Sequence, residues 1–456
     1  MKREGSYTVP FEVAELTYED AVSIAADTGK ISGDAGPLLE TVVDMLDELE
    51  RPDEHFDCIQ VAGTNGKTST TRFTAAILRG EGKRVALYTS PQLVRYEERM
   101  EVDGRVVSPA EFAHGVSVAA ESGRRVNARR EAAGEPAYTI TPFDLLTVAA
   151  MVVFAERGVD VAVLEVGLGG RWDATSATDP VAVAITGIGL DHTRILGDTL
   201  EAIAGEKAAV IKPGRIVVLG EGTHEASVQH VMDERCAACG VTPWVVSHET
   251  LTEPDRIGGA VSFRTHTGRA TYSVQMRKPA YQPQNAACAI ALAEGYLGRA
   301  LDAAALEQSL DTCPVPGRFD VVRVEPLVLV DACHNPQSCE NFVHALDEVE
   351  PCIAARPTLL VAALCDKDVA GIVDVLVPAF PRFVVTRTAS DRAMPARELC
   401  GLICAKLAEL GRDGEDILAV FDSVSTALAW CSDAEMSLIA AGTITLAGEV
   451  AGLLRG

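Results

Sequence analysis

Between about residues 58 and 219, short apolar runs rich in Val, Ile and Ala alternate with longer amphipathic segments. The runs fall at 58–62, 84–88, 159–166, 181–186 and 215–219. They are continuously apolar rather than alternating, which suits strands buried on both faces, so the pattern predicts a parallel sheet covered by helices. The fold class is α/β. A Pro-rich joint follows, Cys313-Pro314-Val315-Pro316-Gly317, and after it a second series of strand-like runs at 327–330, 358–364 and 383–386, again at helical spacing. The joint divides the chain into expected domains 1–313 and 314–456.

Composition adds limits. At roughly 100–200 residues per domain, 456 residues make two or three domains. The longest uncharged apolar stretches, 145–155 and 436–448, are shorter than the roughly 18 residues that span a bilayer. The first residues carry no apolar run of the kind a signal peptide needs, so a cytoplasmic location is the expectation. Sixty-five acidic and 40 basic side chains leave a net charge of −25, which excludes the broad basic footprint required by nucleic acid or an anionic membrane. The first sixty residues carry 15 acidic and 4 basic side chains, a net −11 of the −25, so the total describes a solvated surface rather than a site. The twelve cysteines are scattered through apolar segments, as reduced buried thiols are. Cys236 and Cys239 have half of a zinc-ribbon spacing without the other half, and are read as structural. The basic run at 124–130 is read as a solvated helix or loop face.

The most specific chemical signal is Gly63, Thr64, Asn65, Gly66, Lys67, Thr68 and Ser69, placed directly after the first strand-like run and before a helical stretch. Glycines let successive backbone N–H groups and a helix N-terminus surround phosphate oxygens. Lys67 adds a mobile charge near the β/γ-phosphates, while the Thr68 and Ser69 hydroxyls are hard oxygen ligands suited to Mg²⁺. Glu165 ends its own apolar run, and so stands at a carboxyl edge, where open parallel sheets bind ligands.

The loop has two residues between its glycines rather than four. This form resembles the ATP loop of the Mur ligase superfamily. Later landmarks resemble its folylpolyglutamate synthase/dihydrofolate synthase family: the segment from Thr89 to Leu93, EVGLGGRWDAT from Glu165, GLDHT from Gly189, Glu206-Lys207-Ala208, Gln282 with Asn285, Pro316-Gly317-Arg318, Asp331 to Pro336, and Asp366 to Asp368. The resemblance implies a P-loop ATPase domain with a parallel-rich sheet and a smaller, Rossmann-like C-terminal α/β domain.

It also implies roles. Ser69, Ser90, Glu165 and His192 would hold Mg²⁺, with two ions in all. Lys207 would be carbamylated, turning an ammonium into a carboxylate-like metal ligand. Asn285 would contact adenine, Arg318 would reach ATP phosphates as a closure sensor, and Asp331 with His334 would face the nucleotide. Lys67, Glu165, His192, Lys207 and Arg318 form the implied catalytic set. The implied reaction activates a carboxylate as an acyl phosphate and lets the amine of L-glutamate displace phosphate. The acid would be dihydropteroate or a folate, bound through Thr141, Phe143, Asp144, Trp172, Asp173 and Ala174, and a monomer is expected.

Some positions depart from the family pattern. Thr68 stands where Gly is usual, Gln92 and Tyr281 where His is usual, Asp144 where Glu is usual and Ser176 where Asn is usual. The stretch at 36–41 lacks the basic residue expected for the pterin substrate. Two other readings compete: a ligase acting on a UDP-muramyl acid, which the GKTS ending suits, and a non-catalytic nucleotide-binding regulator. The regulator reading sits poorly with an intact set of Lys67, Glu165, His192 and Lys207.

Overall fold

The computed structural model describes residue 3 and residues 5–27 and 39–455. Residues 36–38 of the stretch noted for lacking a basic side chain lie outside this set; the remainder enters the helix Leu39–Glu48.

An eight-stranded sheet runs in the order Arg105–Val106, Met100–Val102, Val85–Tyr88, Val161–Glu165, Asp57–Ala62, Ala182–Gly187, Ile216–Gly222, Trp244–Val245. From Val85–Tyr88 onward every pairing is parallel, and only the two short strands at the other end are antiparallel. All five apolar runs read from the sequence are strands here. The central ones are buried along nearly their whole length, which is why they read as continuous rather than alternating.

The second sheet has six strands in the order Asp320–Arg323, Val328–Val330, Leu438–Ala441, Thr358–Val361, Phe383–Val385, Ile417–Val420. It is parallel except for the hairpin of the first two. Leu438–Ala441 lies at its centre, within the apolar stretch 436–448. A separate three-stranded sheet orders Thr271–Met276, Val261–His266 and His248–Thr252.

The chain forms two compact units. One comprises 1–249, 264–274 and 283–313; the other comprises 250–263, 275–282 and 314–456. The second unit takes in two stretches that precede the Pro-rich joint, because Ile257 and Tyr281 pack against the core built by the second sheet and its helices. In the first unit, the helix Pro142–Glu156 is buried on nearly every side, so its sequence is apolar all round rather than amphipathic.

The basic run at 124–130 lies on the helix Pro109–Ala132, where Arg124, Arg125, Arg129 and Arg130 each pair with a glutamate. Cys236 and Cys239 lie on the helix Ala226–Cys239, buried in an apolar cluster, and the Cys239 thiol donates to the Ile211 carbonyl. No helix among the described residues is long and apolar enough to cross a membrane.

The charge has a measurable consequence. A net −25 repels itself in the compact state, and salt screens that repulsion over about 8–10 Å near 0.1 M ionic strength. The melting temperature should therefore rise as KCl increases from about 0.05 M to about 1 M. A flat or falling profile in scanning calorimetry would mean that the many surface ion pairs outweigh the excess charge.

Candidate active site

The strand Asp57–Ala62 feeds the Gly63–Ser69 loop into the helix Lys67–Gly80. Two glycines make the turn possible. Gly66 has φ +82° and caps the helix, and Gly63 has φ +152°, where a Cβ would meet the Thr186 hydroxyl at 2.0 Å. The loop is strapped to the end of the neighbouring strand. Thr64 N donates to Gly187 O at 2.7 Å, and the Thr64 hydroxyl donates to Gly189 O at 3.1 Å. Lys67 Nζ folds back onto the carbonyls of Gly63 (2.9 Å) and Thr64 (3.0 Å).

Lys207, near the C-terminus of the helix Leu200–Ala208, also donates to the Gly63 carbonyl, at 2.8 Å. Two amines thus converge on one oxygen. Lys207 is 5% exposed, and burial, reinforced by the nearby Lys67 charge, holds its ammonium down to about 7 against the partial help of Asp191 and Asp173.

Glu165 is 2% exposed at the end of its strand. Its Oε1 accepts the Thr68 hydroxyl at 2.7 Å and its Oε2 accepts the Ser90 N–H at 3.2 Å. Thr68, the residue that departs from the family's glycine, is therefore spent on orienting this carboxylate. Ser69 is buried on the same helix turn. The oxygens gathered here are hard ligands, a donor set that fits Mg²⁺. His192 stands differently: it has φ +50°, heads the short helix Thr193–Leu196, and its ring is 45% exposed beside Asp191. No cluster of three or more His, Cys, Asp or Glu poised for a metal occurs among the described residues.

The residues expected to bind the acid have internal partners. Thr141 caps the helix Pro142–Glu156, accepting from Asp144 N at 3.1 Å while Asp144 accepts from Thr141 N at 3.0 Å, a reciprocal capping box. Burial raises the Asp144 carboxyl. Asp173 is 5% exposed and accepts from Gly167 N (2.9 Å), Leu168 N (3.0 Å), Thr175 N (3.0 Å) and the Thr175 hydroxyl. It holds the glycine-rich loop after Glu165, and burial pushes its carboxyl up despite those donors. The half-buried Phe143 ring lies against Gly167, where a Cβ would meet its Cζ at 2.6 Å, and 6.0 Å from the Tyr88 ring. Ala174 is buried, whereas Trp172 is 58% exposed.

In the second unit, Asp331 is buried and accepts from Phe319 N (2.7 Å) and Cys333 N (2.9 Å), which ties the Gly317–Phe319 turn to its strand end. Burial raises its carboxyl, and the Arg318 charge opposes the rise. His334 Nδ1 donates to Ala332 O at 2.9 Å, and Asn335 caps the helix Pro336–Val349. Sequence reasoning missed a hydroxyl cluster at the carboxyl edge of this sheet. Thr443 lies 3.1 Å from Thr445, whose hydroxyl donates to Thr388 at 3.3 Å, and the buried Thr386 hydroxyl has no hydrogen-bond partner among the described residues. The sequence signal is weak: Gly442-Thr443 directly follows the strand Leu438–Ala441, whose four apolar residues read alike in a strand and in a buried helix. In the first unit, the buried Thr186 and Gln60 were also missed; Gln60 Nε2 donates to Thr175 and Ser176.

A phosphate-type loop on a parallel sheet, followed by a second α/β unit, defines the Mur ligase architecture, and the sequence agrees: residues 61–227 match the Mur ligase middle domain and 317–443 the Mur ligase glutamate ligase domain. A Mycobacterium tuberculosis dihydrofolate synthase/folylpolyglutamate synthase is 32% identical over 375 residues, 80% of this chain and 77% of that protein. A probable bifunctional folylpolyglutamate synthase/dihydropteroate synthase of Haloferax volcanii is 37% identical over 344 residues, 74% of this chain but only 39% of its own length. Among solved structures, Mycobacterium tuberculosis folylpolyglutamate synthase complexed with ADP and AMPPCP aligns with a TM-score of 0.81 and 28% identity over 92% of this chain and 96% of that one. A bifunctional folylpolyglutamate synthase/dihydrofolate synthase with Mn, AMPPNP and L-glutamate bound aligns with a TM-score of 0.77 and 26% identity over 98% and 100%. The chain belongs to the folylpolyglutamate synthase/dihydrofolate synthase family, the ATP-dependent glutamate ligases of the Mur ligase superfamily.

Proposed function

We propose that this chain joins L-glutamate to dihydropteroate, a reduced folate, or both, using ATP. The observation that carries the reading is the convergence of Lys67 and Lys207 on the Gly63 carbonyl beside the strand-end Glu165. A carboxylate and an amine do not condense unaided in water, so the acid must first take the γ-phosphoryl group. Lys67 and the loop amides offset the charge that redistributes during that transfer. The amine of glutamate then attacks the acyl carbon, a proton leaves the nitrogen, and phosphate departs as the tetrahedral centre collapses. No protein nucleophile is required.

Mg²⁺ would be held by Glu165 with Ser69, Ser90 and His192, and would supply charge neutralisation at the phosphates. Lys207 is suited to carbamylation, because the reactive species is the neutral amine: its nitrogen bonds the carbon of CO₂, releases one proton and becomes a carbamate. An amine held to about 7 is substantially neutral at physiological pH. As a carbamate, Lys207 would become a ligand for a second ion. Arg318, Asp331 and His334 are proposed to take part in nucleotide binding, and the threonine cluster around Thr443 in binding the amino acid. On the acid side, Phe143 and Trp172 offer ring surface. Thr141 and Asp144 set the helix terminus, and Asp173 shapes the loop on which Trp172 and Ala174 stand.

The named relatives favour folate over a UDP-muramyl acid, and Thr68, which had suggested the latter, has a local task in orienting Glu165. The deciding experiment measures phosphate release from ATP with L-glutamate and, in turn, dihydropteroate, a reduced folate and a UDP-muramyl acid. Release is expected with at least one of the first two and not with the third; the reverse pattern would sink the folate assignment.

A further inference from the structure

The strand Asp57–Ala62 is apolar in its interior except at Gln60, which is fully buried between Leu164 on one parallel neighbour and Val183 on the other. A primary amide in such a place needs a reason. Its Nε2 donates to the Thr175 hydroxyl at 2.8 Å and to the Ser176 hydroxyl at 2.9 Å. The hydrogens of both hydroxyls are already committed, Thr175 to Asp173 Oδ1 and Ser176 to Gly170 O at 2.6 Å, so each oxygen offers only lone pairs and the amide meets them with its two N–H bonds. Its Oε1 has no hydrogen-bond partner among the described residues. A buried acceptor without a donor costs stability, so an apolar side chain would serve the sheet better, and the contribution of the amide lies in what its two donors hold.

They hold the loop from Gly167 to Ser176. Through Thr175 the amide polarises the hydroxyl that fixes Asp173, whose Oδ2 accepts from Gly167 N and Leu168 N; through Ser176 it fixes the Gly170 carbonyl. The loop is thereby tied at several points to one side chain on another strand, and Trp172 and Ala174 stand between the ties. Ser176 stands where Asn is usual in the family and has no amide to contribute. We propose that Gln60 is a positioning residue for the acid substrate, supplying from the strand the amide that Ser176 does not supply from the loop. The inference rests on the ligase reading above, in which this loop helps to bind the acid.

The test is initial-rate kinetics of glutamate-dependent phosphate release, varying first the acid (dihydropteroate or a reduced folate, whichever the parent chain turns over) and then ATP. Gln60→Leu, which keeps most of the bulk and removes both donors, should raise KM for the acid about tenfold while kcat and KM for ATP stay within about twofold of the parent. An unchanged KM for the acid overturns the proposal; so does an equal rise in both KM values, the mark of a residue that merely supports the sheet. Rescue separates position from packing. Gln60→Val should weaken the acid likewise, and adding Ser176→Asn, which conserves the number of side-chain heavy atoms in the pair and returns an amide, should bring KM to within about threefold of the parent. A double variant as weak as Gln60→Val counts against the proposal. Melting curves report whether each variant is folded at the assay temperature. If the variants at position 60 are not, Ser176→Ala decides, since it deletes one acceptor of the amide and little bulk: KM for the acid should rise about three- to tenfold, and an unchanged value overturns the proposal. A parent chain that releases no phosphate with either acid would refute the ligase reading itself, a result distinct from failure of the role given to Gln60.

Discussion

Replacing Lys207 with Met should reduce glutamate-dependent phosphate release by about a hundredfold or more, without lowering the melting temperature at neutral pH. The two halves of this expectation have one cause. Burial and the charge of Lys67 hold the amine at about 7, against an ordinary 10.5. Between those values the unfolded chain binds a proton that the folded chain has released, so stability rises with pH across this window. Below it both states are protonated, and the buried ammonium costs folding stability in full. Met removes that cost, about 5 kcal/mol at most, and gives up one hydrogen bond to Gly63 worth about 1 kcal/mol. The same shift makes carbamylation pH-dependent. Parent chain depleted of CO₂ should regain activity on adding bicarbonate, more completely at about pH 8 than at about pH 6, as the amine loses its proton. Turnover in Lys207→Met equal to that of the parent, or activity indifferent to bicarbonate at every pH, would remove Lys207 from the metal site.

Glu165→Gln should be of similar severity. The carboxylate is almost fully buried and accepts from the Thr68 hydroxyl and the Ser90 N–H. Gln keeps the shape and one accepting oxygen but loses the charge that a divalent cation requires. Mn²⁺ affinity, read from the electron paramagnetic resonance of the free ion, should fall by about ten- to a hundredfold, with phosphate release falling at least as far. Parent-like Mn²⁺ binding in this variant would place the ion elsewhere. Thr68→Val offers a graded comparison, since it keeps the charge and removes only the hydroxyl that orients it; its Mn²⁺ affinity should lie between those of Glu165→Gln and the parent.

Much of the architecture was legible along the chain, because a strand buried on both faces must be apolar at every position. Runs of that kind, such as 58–62 and 181–186, spell out a parallel sheet in the sequence itself. The short antiparallel strands Met100–Val102 and Arg105–Val106 were not legible, since two or three residues hold no period. The central strand Leu438–Ala441 was hidden in a stretch noted only for its apolarity, because four apolar residues read alike in a strand and in a buried helix.

The sequence by itself determined the chemistry on offer: a phosphate loop with Lys67, a strand-end Glu165, and an ordered set of motifs belonging to one ligase family. Only the tertiary structure decided how those groups are used. It brought Lys207 from 144 residues away onto the Gly63 carbonyl and turned Thr68 toward Glu165, while Thr141, Asp144 and Asp173 take hydrogen bonds in caps and loop contacts. The reason is physical. Spacing along a chain fixes which donors and acceptors exist and which local caps and turns they can close, but a buried polar group takes whichever partner the fold brings within about 3 Å, and that partner can lie as far away in sequence as Gly63 does from Lys207.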